Sequence, residues 1–233
     1  MIRFSLLSRI VDIVSPRSCP VCGQRLTISE DPMCAVCSMR LPRTGFAEYP
    51  LDNEMVRLLW GIIKVERGAA LFYYTPESDV ARVVLAAKYG QNPQLCESLG
   101  RMMAEDMMQT GFFDGIDLLV PVPLSRGRKR HRGYNQSEMM ACGISGVTHI
   151  PVERRAVHRR LFQDSQTTKS RRERRENVRN AFQLVAPERI AGRHLLLIDD
   201  VMTTGSTVCS CAAELLKAPD VKISVLTLGF TKN

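Results

Sequence analysis

The chain has 233 residues, 45% hydrophobic and 24% charged, with a formal net charge of +8 and a pI near 9.3. That composition is that of a soluble globular protein. It excludes a disordered polyelectrolyte and a membrane-spanning bundle, and it leaves room for one or two domains with an ample core. The positive excess points to an anionic partner without naming it.

Residues 2–14 open with Phe4, Leu7, Ile10, Val11 and Val14 on one helical face. Arg9 and Asp12 interrupt the apolar run and no small-residue cleavage site follows, so the segment reads as a docking helix and neither a signal sequence nor an anchor. No other stretch approaches the ~18 apolar residues of a membrane span, and the chain reads as cytoplasmic.

Cys19, Cys22, Cys34 and Cys37 form two C-x-x-C pairs separated by eleven residues. Each pair sets two thiolates on one knuckle, and four thiolates complete a tetrahedral zinc site. With no open coordination position, that zinc is structural. A redox pair is the competing reading of one C-x-x-C, but two pairs at this spacing favour metal. The surrounding Arg17, Arg25, Arg40 and Arg43 leave nucleic-acid contact, partner contact and structural cap all open as uses of the module. Cys96, Cys142, Cys209 and Cys211 stand alone in helical patterns and read as small core residues.

Val80, Val83, Val84 and Ala87 mark a helix ending at Lys88-Tyr89-Gly90. Asn92 and Pro93 suit the cap and first turn of the next, which runs to about Gln109 and stops near Gly111. Met102, Met103, Met107 and Met108 read as adaptable core. Asp117 to Val122 reads as a strand delivering the turn Pro121-Val122-Pro123 to a sheet edge, where it could meet an anionic group. After the stretch SRGRKRHRGYNQ, a helix is expected from Ser137 to about Ile144.

Residues 125–180 hold fifteen Lys or Arg against five Asp or Glu, a local net charge of +10 that exceeds the chain total of +8. Fifteen cations are too many for one small ligand. Arg126, Arg128, Lys129, Arg130, Arg132, Arg171, Arg172 and Arg175 are therefore candidate nucleic-acid contacts, with Tyr134 and His131 as candidate base-stacking rings. Six phosphate contacts to a single strand would give log K against log salt a slope of about −4. The plainer reading of RRERREN is a solvated helix face.

The most informative segment is HLLLIDDVMTTGSTV, residues 194–208. Leu195 to Ile198 have the character of a strand buried on both faces, and they run into Asp199 and Asp200. Val201 and Met202 lead to the turn Thr203-Thr204-Gly205-Ser206-Thr207, and a helix is expected from about Val208. Small residues let backbone N–H groups converge on an anion, and the helix start adds unsatisfied amides and the positive dipole end. The ionised carboxylates accept only, which suits a pair of sugar hydroxyls. No Lys lies between Lys169 and Lys217, so this is not a nucleoside-triphosphate loop. The competing structural reading is a strand-to-helix turn capped by a Ser or Thr side chain. The whole predicts an α/β domain with a central parallel sheet flanked by helices and a ligand at the carboxyl ends of its strands.

LLLIDDVMTTGST resembles the 5-phosphoribosyl-1-pyrophosphate (PRPP) motif of type I phosphoribosyltransferases. The resemblance implies that Asp199 and Asp200 bind the ribose hydroxyls, that Thr203 to Thr207 cradle the 5-phosphate and that Mg²⁺ accompanies PRPP. It also implies a pyrophosphate loop at Pro121–Pro123 and a closing loop over residues 158–177. The four-cysteine module, Ala87-Lys88-Tyr89-Gly90, PVPLSRGRKRHRGYNQ, Gln166 with the following Arg-rich stretch and Ala181-Phe182 together resemble ComF-type proteins. That resemblance implies a zinc module at residues 1–45, a phosphoribosyltransferase-like domain at 46–233 with its core from about 65, and a role in DNA uptake with competence proteins as partners. The alternative it allows is an active phosphoribosyltransferase moving ribose 5-phosphate to an amine or nucleobase. Leu228-Gly229-Phe230 stands where such proteins often carry an Ala-Arg pair, which weakens the transfer of a base-binding role to the carboxyl terminus.

Overall fold

A computed structural model describes residues 17–160 and 181–232. Its centre is a parallel sheet of four strands, β1 (Gly68–Tyr74), β2 (Leu118–Pro121), β5 (His194–Met202) and β6 (Lys222–Thr231), in the order β1-β6-β5-β2. The expected α/β class with a central parallel sheet is the one observed. Leu195 to Ile198 are fully buried in β5, as an unbroken apolar run in a parallel sheet requires. A short antiparallel hairpin, β3 (Val157–Arg159) with β4 (Phe182–Leu184), lies outside this sheet.

Local sequence sets most of the helices. After α1 (Ala35–Arg40) and α2 (Glu54–Leu59), Ser78 caps α3 (Asp79–Tyr89) by accepting from the Ala81 amide at 3.1 Å. Asn92 caps α4 (Pro93–Met107) with Pro93 in its first turn, and a 3₁₀ turn carries the chain to Gly111, as the sequence suggests. Of the four methionines assigned to the core here, Met103 and Met107 are buried, whereas Met108 is exposed. One element goes beyond the sequence reading. The basic stretch forms its own helix, α5 (Arg126–Arg132), capped by Ser125 and ended by Gly133 in a left-handed conformation. Next comes α6 (Gln136–Thr148), capped by Asn135. The last helix, α7 (Ser206–Leu215), starts two residues earlier than expected.

Glycines bring α4 and α6 into backbone contact. A Cβ on Gly143 would stand 1.9 Å from the Glu97 carbonyl oxygen, and one on Gly100 would stand 2.1 Å from that of Met140. No rotamer relieves a clash with backbone, so the two helices keep this separation only with glycine at the crossing. The crossing fixes α6, whose first turn reaches the end of β5.

The amino-terminal module packs onto the same core. Cys19, Val21, Leu26, Met33, Cys34 and Cys37 are buried within it. Arg43 bonds Asp106 at 2.9 Å and Arg101 bonds Asp31 at 2.9 Å across the join. The Tyr73 amide donates to the Pro42 carbonyl and the Thr44 amide to the Leu71 carbonyl, so residues 42–44 cover the outer edge of β1. The expected docking helix at 2–14 lies outside the described residues, as do Gln166, Arg171, Arg172 and Arg175. Among the described residues no helix is long and apolar enough to cross a membrane.

Gly143→Ala should lower the thermal midpoint by roughly 5 °C or more, the cost of overpacking a helix crossing. Gly146→Ala, where an added methyl group meets only open space, should leave the midpoint unchanged or raise it. Parallel calorimetric melts of the two variants check both.

Candidate ligand site at the carboxyl end of the sheet

Strand pairing builds the site. Pro121 of β2 lies beside Ile198 of β5, and the Val122 amide donates to the Ile198 carbonyl at 2.9 Å. The chain leaving β2 therefore runs directly beside Asp199 and Asp200, two segments some eighty residues apart in sequence. β5 continues through the acidic pair to Met202, so both carboxylates project from ordered strand backbone.

Each carboxylate is answered by a different element. Asp199 Oδ1 accepts from Ser137 Oγ at 3.2 Å and from the Asp200 amide at 2.9 Å. Asp200 Oδ1 accepts from the Val201 amide at 2.7 Å, and its Oδ2 lies 3.0 Å from Lys88 Nζ. Burial, then the neighbouring Asp200 charge, push the Asp199 carboxyl up to about 7. Asn135 joins the two loops: its Nδ2 donates to the Val122 carbonyl at 3.0 Å while its Oδ1 caps Ser137 N at 3.2 Å. A continuous path thus runs from Val122 through Asn135 and Ser137 to Asp199.

The turn after β5 is open to solvent at Thr203, Thr204 and Ser206, with Thr207 half-buried. Thr204 and Ser206 hydroxyls lie 2.8 Å apart. Gly205, in left-handed conformation with φ 73°, is the N-cap of α7 and brings no side chain to it, while Thr204 Oγ1 stands 3.5 Å from the Ser206 amide. The N-cap is therefore a glycine and not the Ser or Thr of the competing reading. Val201 is half-buried, while the Met202 side chain is buried, so Met202 offers a ligand only backbone.

The triplet Pro121-Val122-Pro123 forms a wall beside the pair but donates no N–H into the site. The two prolines have none and that of Val122 is spent on Ile198. Positive charge comes from beyond it. Arg126, Arg128, Lys129 and Arg130 are exposed on α5. Arg159, half-buried on β3, sits with its guanidinium 5.2 Å from the Phe182 ring centroid. Burial and the Arg128 charge push it below the usual arginine range, and Asp199 opposes them. Tyr134 corrects an expectation. Its ring is buried and its hydroxyl donates to the Ala87 carbonyl at 2.7 Å, because Gly133 turns the chain inward; it has no free face for a base.

Lys88, Asn135, Ser137 and Arg159 do not stand out as site residues in the sequence. Asn135 carries a local signal, as the cap of N-Q-S-E before an apolar helix. Lys88 is marked only as part of the ComF-like segment Ala87-Lys88-Tyr89-Gly90, without a role, and Arg159 carries no signal, since tertiary packing alone brings them to β5.

At the opposite end of the chain the four sulfurs of Cys19, Cys22, Cys34 and Cys37 lie within 4.8 Å of one another, with Cys22 and Cys34 at 3.9 Å. Tetrahedral thiolate coordination at ~2.3 Å requires sulfurs about 3.8 Å apart, so the cluster suits a metal ion. Gly23, φ 74°, turns the first knuckle, and the second pair opens α1. Of the other cysteines, Cys96, Cys209 and Cys211 are buried and Cys142 is half-buried.

No family model matches the chain. It is similar along nearly its whole length to the DNA utilization protein YhgH of Escherichia coli K12, 28% identical over 223 residues, 91% of this chain and 96% of that protein. Over 114 residues it is 36% identical to Competence protein F of Haemophilus influenzae, covering 48% of this chain and 50% of the relative. Competence protein ComFC of Bacillus subtilis is 32% identical over 112 residues, 48% and 43% of the two chains. The ComF resemblance read from the motifs is met again in these relatives. Among solved structures, the glutamine PRPP amidotransferase from B. subtilis overlaps 61% of this chain and 30% of its own, with 19% identity and a TM-score of 0.42. Adenine phosphoribosyltransferase from Saccharomyces cerevisiae overlaps 60% and 72%, with 16% identity and a TM-score of 0.37.

In the unfolded chain Asp199 titrates near 3.9, and in the folded one near 7. Below about pH 4 both states hold the proton and the carboxyl costs folding nothing. Between about pH 4 and 7 the unfolded state releases the proton while burial and Asp200 keep it on the folded one, so stability falls across that window and stays lower above it. Asp199→Asn removes that cost. Its stability should match wild type at pH 4 and exceed it by on the order of 1–3 kcal/mol at pH 8, read from denaturant melts at both.

Proposed function

We propose that this chain is a ComF-like protein that binds PRPP in a phosphoribosyltransferase-type pocket and acts in DNA uptake and natural transformation through single-stranded DNA. One observation carries the pocket: the paired carboxylates at the end of β5 run into a Gly/Thr turn and helix start beside the cationic exit of β2. In this reading Asp199 and Asp200 accept the ribose 2′- and 3′-hydroxyls. The amides opening α7 and the hydroxyls of Thr203, Thr204, Ser206 and Thr207 hold the 5-phosphate. Pro121, Val122 and Pro123 shape the wall, and Arg128 and Arg159 face the pyrophosphate, charge against charge. Mg²⁺ would arrive with PRPP, neutralising its pyrophosphate oxygens next to the acidic pair.

The nucleic-acid part is supported by exposed α5, by the local charge of +10 and by relatives named for DNA utilization and competence. Competence proteins are the partners that role implies. The four-cysteine module would hold structural zinc, with residues 1–45 as a module and 46–233 as the phosphoribosyltransferase-like domain. Reduced thiols suit a cytoplasmic location.

A second reading, transfer of ribose 5-phosphate to an amine or nucleobase, is favoured by one observation. Burial and the neighbouring Asp200 charge push the Asp199 carboxyl up to about 7, where a carboxyl can exchange a proton with a reacting group near neutral pH.

Calorimetric titration of PRPP with Mg²⁺ should give micromolar binding to the wild type and at least tenfold weaker binding to Asp199→Asn/Asp200→Asn; absence of wild-type binding would overturn the pocket reading. Elemental analysis should find one zinc per chain. Cys34→Ser should lose it and melt roughly 5–10 °C lower.

A further inference from the structure

The last turn of α3 points two neighbouring residues to different ends. Lys88 reaches Asp200, while Tyr89 faces outward and is 57% exposed. Over that ring, 5.1 Å from its centroid, lies the Arg132 guanidinium. The guanidinium is itself held in place. Arg132 Nη1 donates to Gln136 Oε1 at 3.1 Å, and the same Gln136 reaches the Lys88 carbonyl through Nε2 at 3.5 Å. Tyr134 anchors the turn below through the Ala87 carbonyl. An exposed aromatic ring and a planar cation are thus fixed in one stack at the rim of the acidic site.

Along the same edge runs α5. Among the described residues, Arg126, Arg128 and Arg130 have no carboxylate within ion-pair distance, and Lys129 lies 3.9 Å from Glu138. Arg126 and Arg130, one helical turn apart on α5, share a face and suit successive phosphates of a strand. A stacked Tyr–Arg pair beside them suits the bases that such a strand carries, and duplex DNA hides those faces.

We propose that Tyr89 and Arg132 form a base-stacking platform for single-stranded nucleic acid, with the strand's phosphates following α5 past the mouth of the acidic site. This rests on the single-strand reading above and assigns to Tyr89 the stacking role that the sequence suggests for Tyr134. The platform accepts any base, since every base offers a π-face, and it sets strand and pocket ligand within one side chain of each other through Lys88.

Fluorescence anisotropy with the full chain tests it, using a labelled oligo-dT, an abasic strand of equal length and the corresponding duplex across a salt series. Wild type should prefer oligo-dT to the abasic strand by about tenfold and should prefer it to the duplex. Tyr89→Ala should abolish the preference over the abasic strand with its salt slope intact, and Tyr89→Phe should keep the preference. Arg126→Gln/Arg130→Gln should flatten the slope by about 1.4, two single-strand phosphate contacts, and keep the preference. A Tyr89→Ala protein that still prefers bases to abasic sites overturns the platform, as does equal binding of duplex and strand by the wild type. A wild type that binds no strand at all overturns the single-strand reading itself.

Discussion

Two carboxylates side by side at the end of a buried strand repel one another in a place where water screens them poorly. The rest of the site is the means by which this chain tolerates that arrangement. Asp200 is met by the ammonium of Lys88 from α3, and Asp199 by the hydroxyl of Ser137 from α6. Asn135 then fastens the first turn of α6 to the exit of β2, which the sheet already holds against β5. The acidic pair therefore draws together three elements that are distant in sequence, and their convergence sets the geometry of the strand end. A polyhydroxyl ligand with its own cation would relieve the same repulsion, so the free site and the loaded site answer one electrostatic requirement in two ways.

Much of this is legible in the sequence because it is local. A run of four branched or large apolar residues, two acids and a Gly/Thr turn occupy thirteen consecutive positions, and the fold keeps them in that order. The cysteine pairs are legible for the same reason, each knuckle being set by its own turn. The helix caps at Asn92 and Pro93 are likewise written next to what they cap. By contrast α5 is silent, because a helix that is polar all round has no apolar period to detect. Lys88 and Arg159 are silent as to role because a single cation has no pattern; its meaning lies in which carboxylate the sheet places near it.

Tyr134 shows where proximity in sequence misleads. An aromatic residue inside a cationic cluster has the composition of a nucleic-acid contact, yet one left-handed glycine reverses the chain and puts the ring in the core. The surface ring belongs instead to Tyr89, some forty residues away, where it meets the cluster through Arg132. Charge patterns in sequence locate a cationic face well. They do not say which aromatic residue shares it.

The cover on β1 has a consequence for the protein's behaviour in bulk. The strand's outer edge is occupied by residues 42–44, which follow directly on the cysteine module and are held to the sheet by a few backbone contacts. If the module comes apart, that short segment loses its footing, and a seven-residue apolar strand presents bare amides and carbonyls. Such a chain would then gather edge to edge into insoluble assemblies while most of its α/β core was still folded. Yield of usable protein would track the integrity of the cysteine module during synthesis more closely than it tracks the intrinsic stability of the domain.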